Sequence, residues 1–120
     1  MASNKKILIV DDEENIRLLF KEELQEDGYI IETADSADDA AKKIESFQPD
    51  LITLDIKMPG MDGIEFLRQL KEKDKNLKVI ICSAYGGFKQ DFRTWASEAY
   101  IVKSADLNEL KTTIKKVLSP

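Results

Sequence analysis

Asp11, Asp12, Asp55 and Lys103 each stand at the end of an apolar run: ILIV precedes Asp11-Asp12, LITL precedes Asp55 and YIV precedes Lys103. If those runs are strands of one parallel sheet, their C-terminal ends meet and three carboxylates share a crevice with one ammonium. Clustered like charges cost free energy unless a cation balances them. The crevice has three chemical readings. It can hold a hard divalent cation such as Mg²⁺ through carboxylate oxygens. It can work as a general acid/base pair. Or its acids can simply cap helix N-termini, which is the expected role of Glu13 and Glu14. Lys103 favours the first reading, because a metal and an ammonium together clamp Asp55 between two cations. Such a clamp suits phosphoryl transfer, which is mostly positioning and charge neutralisation. Asp55 can then be the nucleophile that forms an aspartyl-phosphate. Ser83, which ends the run VIIC, offers a hydroxyl to a phosphoryl oxygen.

The elements that would position these residues alternate between strand-length apolar runs and segments of helical period. The first strand is expected at about Lys6–Val10, apolar at nearly every position as befits a strand covered on both faces. A helix over about Glu14–Asp27 comes next, with Ile16, Leu19, Phe20 and Leu24 as its stripe and Gly28 ending it. The second strand, about Tyr29–Ala34, alternates imperfectly and suits a sheet edge. Ser36 and Asp39 form a capping box for a helix whose stripe is Ala40, Ala41, Ile44 and Phe47. Further strands are expected at Leu51–Leu54, Lys78–Ser83 and Ala99–Val102. A loop over 57–63 carries Pro59, Gly60 and Gly63, and a third helix carries Ile64, Leu67 and Leu70. A short helix is expected over Lys89–Ala96. Asp106 and Glu109 are expected to form a second capping box, for a last helix carrying Leu107, Leu110, Ile114, Val117 and Leu118.

Five β-α units imply an α/β fold: a doubly wound five-stranded parallel sheet, order 2-1-3-4-5, flanked by five helices, the flavodoxin-like architecture. Ligands bind such sheets where the strand order reverses, between the strands ended by Asp11-Asp12 and Asp55.

Composition narrows the classes. With 120 residues, 42% hydrophobic and 34% charged, the chain is expected to form a single domain, 1–120. A net charge of −5 argues against nucleic-acid binding by this chain alone. Without histidine, His-based catalysis and His–metal ligation are excluded, and a lone cysteine, Cys82, excludes an intrachain disulfide and reads as a buried small residue. Apolar runs of four or five residues predict no membrane span, and a cytoplasmic location is expected.

The segments ILIVDDE, LITLDIKMPGMDG, VIICSAYG and AYIVK, in this order, resemble the response-regulator receiver domain of two-component signalling over Lys6 to about Leu118. The 2-1-3-4-5 order is also that of the family's chemotaxis member, so it adds no independent support. The resemblance implies that Asp55 is the phosphoacceptor, that Asp12 binds Mg²⁺ (or Mn²⁺) directly and that Asp11 acts through water. It implies that Lys57 contributes a backbone carbonyl, that Lys103 is the family lysine, that Ser83 is the switch hydroxyl and that Tyr100 is the aromatic switch. It further implies a phosphoryl donor on a histidine kinase or histidine phosphotransfer protein, and a downstream protein target. The protein is then a signalling switch that assists its own phosphorylation and autodephosphorylation, acting as a monomer or as a phosphorylation-linked dimer. The family usually recruits the kinase with its first helix and the loop after strand five.

Three positions depart from the family pattern. Ser104 stands where Pro is usual, and a cis bond before a non-proline residue costs roughly 2.5–4 kcal/mol, so a trans Lys103–Ser104 bond is expected. Ser83 and Lys103 are 20 positions apart, shorter than usual, which places a shortened stretch around Gly86-Gly87 and Trp95. Lys57 and Tyr85 flank the water path in relatives, and Lys57 is expected to slow autodephosphorylation. Competing readings are a receiver segment of a longer regulator with a DNA-binding or enzymatic output domain, an aspartyl-phosphate phosphatase and a flavin carrier. The phosphatase would want D-x-D after the first strand, and the flavin carrier a Ser/Thr/Gly-rich loop, neither of which DDEEN supplies.

Overall fold

Five strands build the main sheet: β1 (Lys6–Val10), β2 (Ile30–Ala34), β3 (Leu51–Leu54), β6 (Lys78–Ser83) and β7 (Ala99–Val102). Between them in the chain, the two-residue strands β4 (Lys57–Met58) and β5 (Met61–Asp62) form a separate antiparallel pair. The main sheet has the order β2-β1-β3-β6-β7 and is parallel throughout. With the short pair set aside, this is the expected 2-1-3-4-5 order. The computed structural model describes residues 4–58, 61–84, 97–103 and 106–119. Among them are four helices, where the sequence suggested five: α1 (Glu14–Glu26), α2 (Ala37–Phe47), α3 (Gly63–Lys73) and α4 (Asn108–Leu118). The short helix expected over Lys89–Ala96 lies outside the described residues, as do Tyr85, Gly86, Gly87, Trp95 and Ser104 with its peptide bond.

Apolar runs become strands here because both faces of the sheet are covered. Along β1, Leu8 and Val10 point to one side and pack with Ile52, Leu54, Val79 and Ile81 against Ala40, Phe66, Leu67 and Leu70 of α2 and α3. Ile7 and Ile9 point to the other and pack with Leu51, Ile80, Cys82 and Ile101 against Phe20, Leu24, Leu110 and Ile114 of α1 and α4. The period of two in each strand thus feeds two separate cores. Among the described residues no helix is long and apolar enough to cross a membrane.

Local signals explain most element ends. Gly28, at φ 96°, ends α1: its N–H donates to Gln25 and the N–H of Tyr29 donates to Leu24, the paired bonds of a left-handed glycine cap. Ser36 caps α2 by accepting from the N–H of Asp39 at 3.1 Å. The second expected box is not formed as drawn. Asp106 accepts from the N–H of Asn108 at 2.9 Å, and α4 starts at Asn108, one residue too late for Glu109 to be the third helical residue of a box led by Asp106. Two stripe residues are also corrected. Leu19 is 39% exposed, because it lies about 100° round the helix from Phe20. Ala41 is likewise exposed beside the buried Ala40.

Candidate functional site

Each strand-end residue is fixed by one further rung of the sheet. The N–H of Asp11 donates to Ala34 at 3.1 Å, that of Asp55 to Val10 at 3.0 Å and that of Lys103 to Ser83 at 2.7 Å. The ladders therefore run one residue past the strands, and the side chains of Asp11, Asp55 and Lys103 leave the sheet from a rigid edge. Lys103 reaches across: its Nζ lies 2.6 Å from Asp11 Oδ2 and 3.0 Å from Asp55 Oδ2. Asp11 and Asp55 are 2% and 5% exposed, so this is a buried ion cluster.

One ammonium does not balance it. Carboxylate oxygens of Asp11, Asp12, Glu13 and Asp55 all lie within 4.8 Å of one another. Four carboxylates and one ammonium leave three negative charges among these residues. Burial pushes the Asp11 carboxyl above its usual range, against the hydrogen bond and charge of Lys103. Burial opposes the charge on Lys103 as well, but the hydrogen bonds and charges of Asp11 and then Asp55 outweigh it and hold the ammonium firmly protonated. The donors are all hard oxygens, so the residues present fit Mg²⁺ or Mn²⁺. No thiol competes: Cys82 is buried, and burial pushes its pKa up to about 12.

Ser83 is fully buried at the end of β6, and its hydroxyl lies near enough to Tyr100 to lower that phenol's pKa somewhat, against the larger effect of burial. Tyr100 is half-buried against the α2/α3 core, and its pKa is raised by burial and by the charge of Asp55. The five residues Asp11, Asp55, Ser83, Tyr100 and Lys103 are therefore linked by contact or charge, with the exposed Asp12 at the rim. The backbone of Lys57 begins β4, two residues beyond Asp55.

Sequence reasoning missed three contributors. Glu13 stands at the N-cap of α1, as expected, but makes no side-chain cap bond, and its carboxylate faces the cluster 3.6 Å from Lys103 Nζ. Arg17 donates from Nη1 to the carbonyl of Asp11 at 2.8 Å. Its signal was a cation near a helix N-terminus, where the helix dipole disfavours one. Gly63 lies against the backbone of Ile56, the residue after Asp55, with no room for a side chain. In the sequence Gly63 reads only as part of a turn, and nothing there points to Ile56.

Residues 7–115 match the family model described as the response regulator receiver domain. The chain is 39% identical over 117 residues to the sporulation initiation phosphotransferase F of Bacillus subtilis, covering 96% of this chain and 94% of that protein. It is similar in structure to the response regulator TrrA of Thermotoga maritima in complex with Mg²⁺-BeF, with a TM-score of 0.91, 48% identity and coverage of 95% of this chain and 99% of that one. The crystal structure of the histidine kinase ThkA in complex with TrrA gives a TM-score of 0.89 at 49% identity, covering 96% and 99% of the two chains.

Proposed function

This chain belongs to the response-regulator receiver domain family, and from that premise we propose that it is a signalling switch phosphorylated on Asp55. The observation that carries the assignment is the ammonium of Lys103, 3.0 Å from Asp55 Oδ2, in a crevice with three further carboxylates. The donor is a phosphohistidine on a histidine kinase or histidine phosphotransfer protein. Support comes from TrrA, which has been solved with the kinase ThkA, and from the likeness to a phosphotransferase. The histidine must come from outside, since this chain has none. The matched region is read as one receiver domain that relays the phosphoryl group or changes its binding to a downstream protein.

The chemistry is a single displacement at phosphorus. A carboxylate oxygen of Asp55 forms the new P–O bond as the P–N bond to the donor imidazole breaks. The bonding pair goes to the imidazole nitrogen, which takes a proton from solvent. Lys103 stands beside the attacking carboxylate and neutralises one phosphoryl oxygen. Ser83 presents its hydroxyl to another, which ties the event to Tyr100, whose phenol feels the Ser83 hydroxyl. Asp11, Asp12, Asp55 and the carbonyl of Lys57 would hold Mg²⁺, which when bound supplies charge neutralisation to the transferring group. The family's fold and the oxygen-only donor set support these roles.

The test is labelling by a small phosphodonor with and without Mg²⁺, comparing wild type with Asp55→Asn. Label on wild type that needs Mg²⁺ and is absent from Asp55→Asn is the expected result. An unlabelled wild type would sink the proposal.

A further inference from the structure

We infer that Arg17 is a positioning residue for the cation site, acting through the peptide that joins Asp11 to Asp12. The inference rests on the reading that the carboxylate cluster takes a divalent cation.

Every polar group of Asp11 is engaged. Its N–H donates to Ala34 at 3.1 Å. Its Oδ1 accepts from the N–H of Glu13 at 2.9 Å, its Oδ2 meets Lys103 at 2.6 Å, and its carbonyl accepts from Arg17 at 2.8 Å. Asp11 is thus a fixed post. Asp12 differs: it is exposed, and among the described residues no hydrogen bond or ion pair holds its carboxylate. What places Asp12 is the backbone alone. The carbonyl of Asp11 and the N–H of Asp12 share one peptide plane. A donor clamped on that carbonyl therefore sets the direction from which the Asp12 side chain starts.

Arg17 has no other evident task. Among the described residues no carboxylate pairs with its guanidinium, and the Asp11 carbonyl is the acceptor it meets. A cation near the start of α1 opposes the helix dipole, so helix stability does not account for it. Partly buried and six residues on from Asp11, it closes the loop between β1 and α1 from the helix side. Groups that orient metal ligands without touching the metal commonly change affinity by about 10-fold or more when removed.

The experiment is Mg²⁺ titration by isothermal calorimetry of the full chain, with thermal unfolding monitored in parallel. Arg17→Met is expected to raise the Mg²⁺ dissociation constant by about 10-fold, and Arg17→Lys, which restores a donor, to recover most of it. Glu23→Gln, on the same helix as Arg17, breaks the Glu23–Lys111 pair between α1 and α4 and is expected to leave the affinity unchanged. In phosphodonor labelling, Arg17→Met should need more Mg²⁺ yet reach the wild-type rate at saturation. Should Arg17→Met fail to fold, Arg17→Gln, whose amide is too short to span the same gap, carries the test. Unchanged affinity in the Arg17 variant overturns the inference, as does an equal loss in Glu23→Gln or an Arg17→Lys no better than Arg17→Met. Wild-type protein that binds no Mg²⁺ overturns the cation reading itself, a separate outcome.

Discussion

A β-carbon on Gly63 would lie 2.3 Å from the α-carbon of Ile56 and 2.7 Å from its carbonyl oxygen. Gly63 opens α3, and Ile56 comes directly after Asp55, so the helix start packs against the backbone that adjoins Asp55. Backbone cannot yield as a flexible side chain can. Gly63→Ala should therefore push Ile56 away and move Asp55 with it. The expected cost is about 1–3 kcal/mol of stability, the range for overpacking, together with slower phosphodonor labelling. Urea unfolding and labelling rates check the two halves. Wild-type values for both would show that the contact relaxes freely.

Lys103 is the ammonium that meets two buried carboxylates, Asp11 and Asp55. Removing one partner of a buried cluster leaves uncompensated charge, which typically costs about 3–5 kcal/mol. Lys103→Met should be destabilised by that order in the absence of divalent cations. Added Mg²⁺ should then stabilise it by more than it stabilises wild type, since the ion replaces the lost charge. Thermal melts across a Mg²⁺ series test this. Equal Mg²⁺ responses in the two proteins would separate Lys103 from the cluster's charge balance.

In wild type, the three excess negative charges of the cluster predict a stability gain on metal binding. A ligand bound only by the folded state adds about 2.7 kcal/mol at 100 times its dissociation constant. The melting temperature should rise with Mg²⁺ and fall back with EDTA. Asp12→Asn should shrink the response, while its apo form melts at or above wild type because one repelling charge is gone. A full Mg²⁺ response in Asp12→Asn would remove Asp12 from the ligand set.

How legible the molecule was depended on whether a residue's role is set by its own strand or helix. The ILIV and LITL runs named the covered strands, and the residues directly after each run proved to be the cluster's Asp11, Asp12 and Asp55, because a strand end has a predictable direction. Gly28 and Ser36 announced the caps they make. The parts Glu13 and Arg17 play at the site are not legible in the sequence, since they depend on side chains crossing between elements: Glu13, at the start of α1, also faces Lys103, and Arg17 reaches back six residues. Leu19 had the right residue type for the stripe and the wrong angle for burial. Gly63 showed itself only through a contact with Ile56 that no local pattern encodes.

Cys82 offers a probe of the core beside the site. Only 3% exposed, it points into the α1/α4 core, and burial holds its thiol neutral until about pH 12. The thiolate is the reactive form. Native protein at pH 8 should react with a thiol reagent far more slowly than the urea-unfolded chain, by at least about 100-fold if reaction requires the open state. Fast native labelling would mean that β6 opens locally beside Ser83.

The side chains of Ser83 and Tyr100 lie close enough to influence each other, so they should be energetically coupled before any phosphorylation. A double-mutant cycle of Ser83→Ala and Tyr100→Phe in the unmodified protein should give a coupling of about 0.5–1.5 kcal/mol, the net value of one hydrogen bond between them. Both changes are nearly isosteric, so cavity effects are small. Repeating the cycle with beryllofluoride and Mg²⁺ supplies the contrast. If the Ser83 hydroxyl turns to a phosphoryl-like oxygen, it has less to give Tyr100, and the coupling should change in size. Identical coupling in both states would mean that Ser83 does not respond to the group on Asp55, and Tyr100 would then report on packing alone.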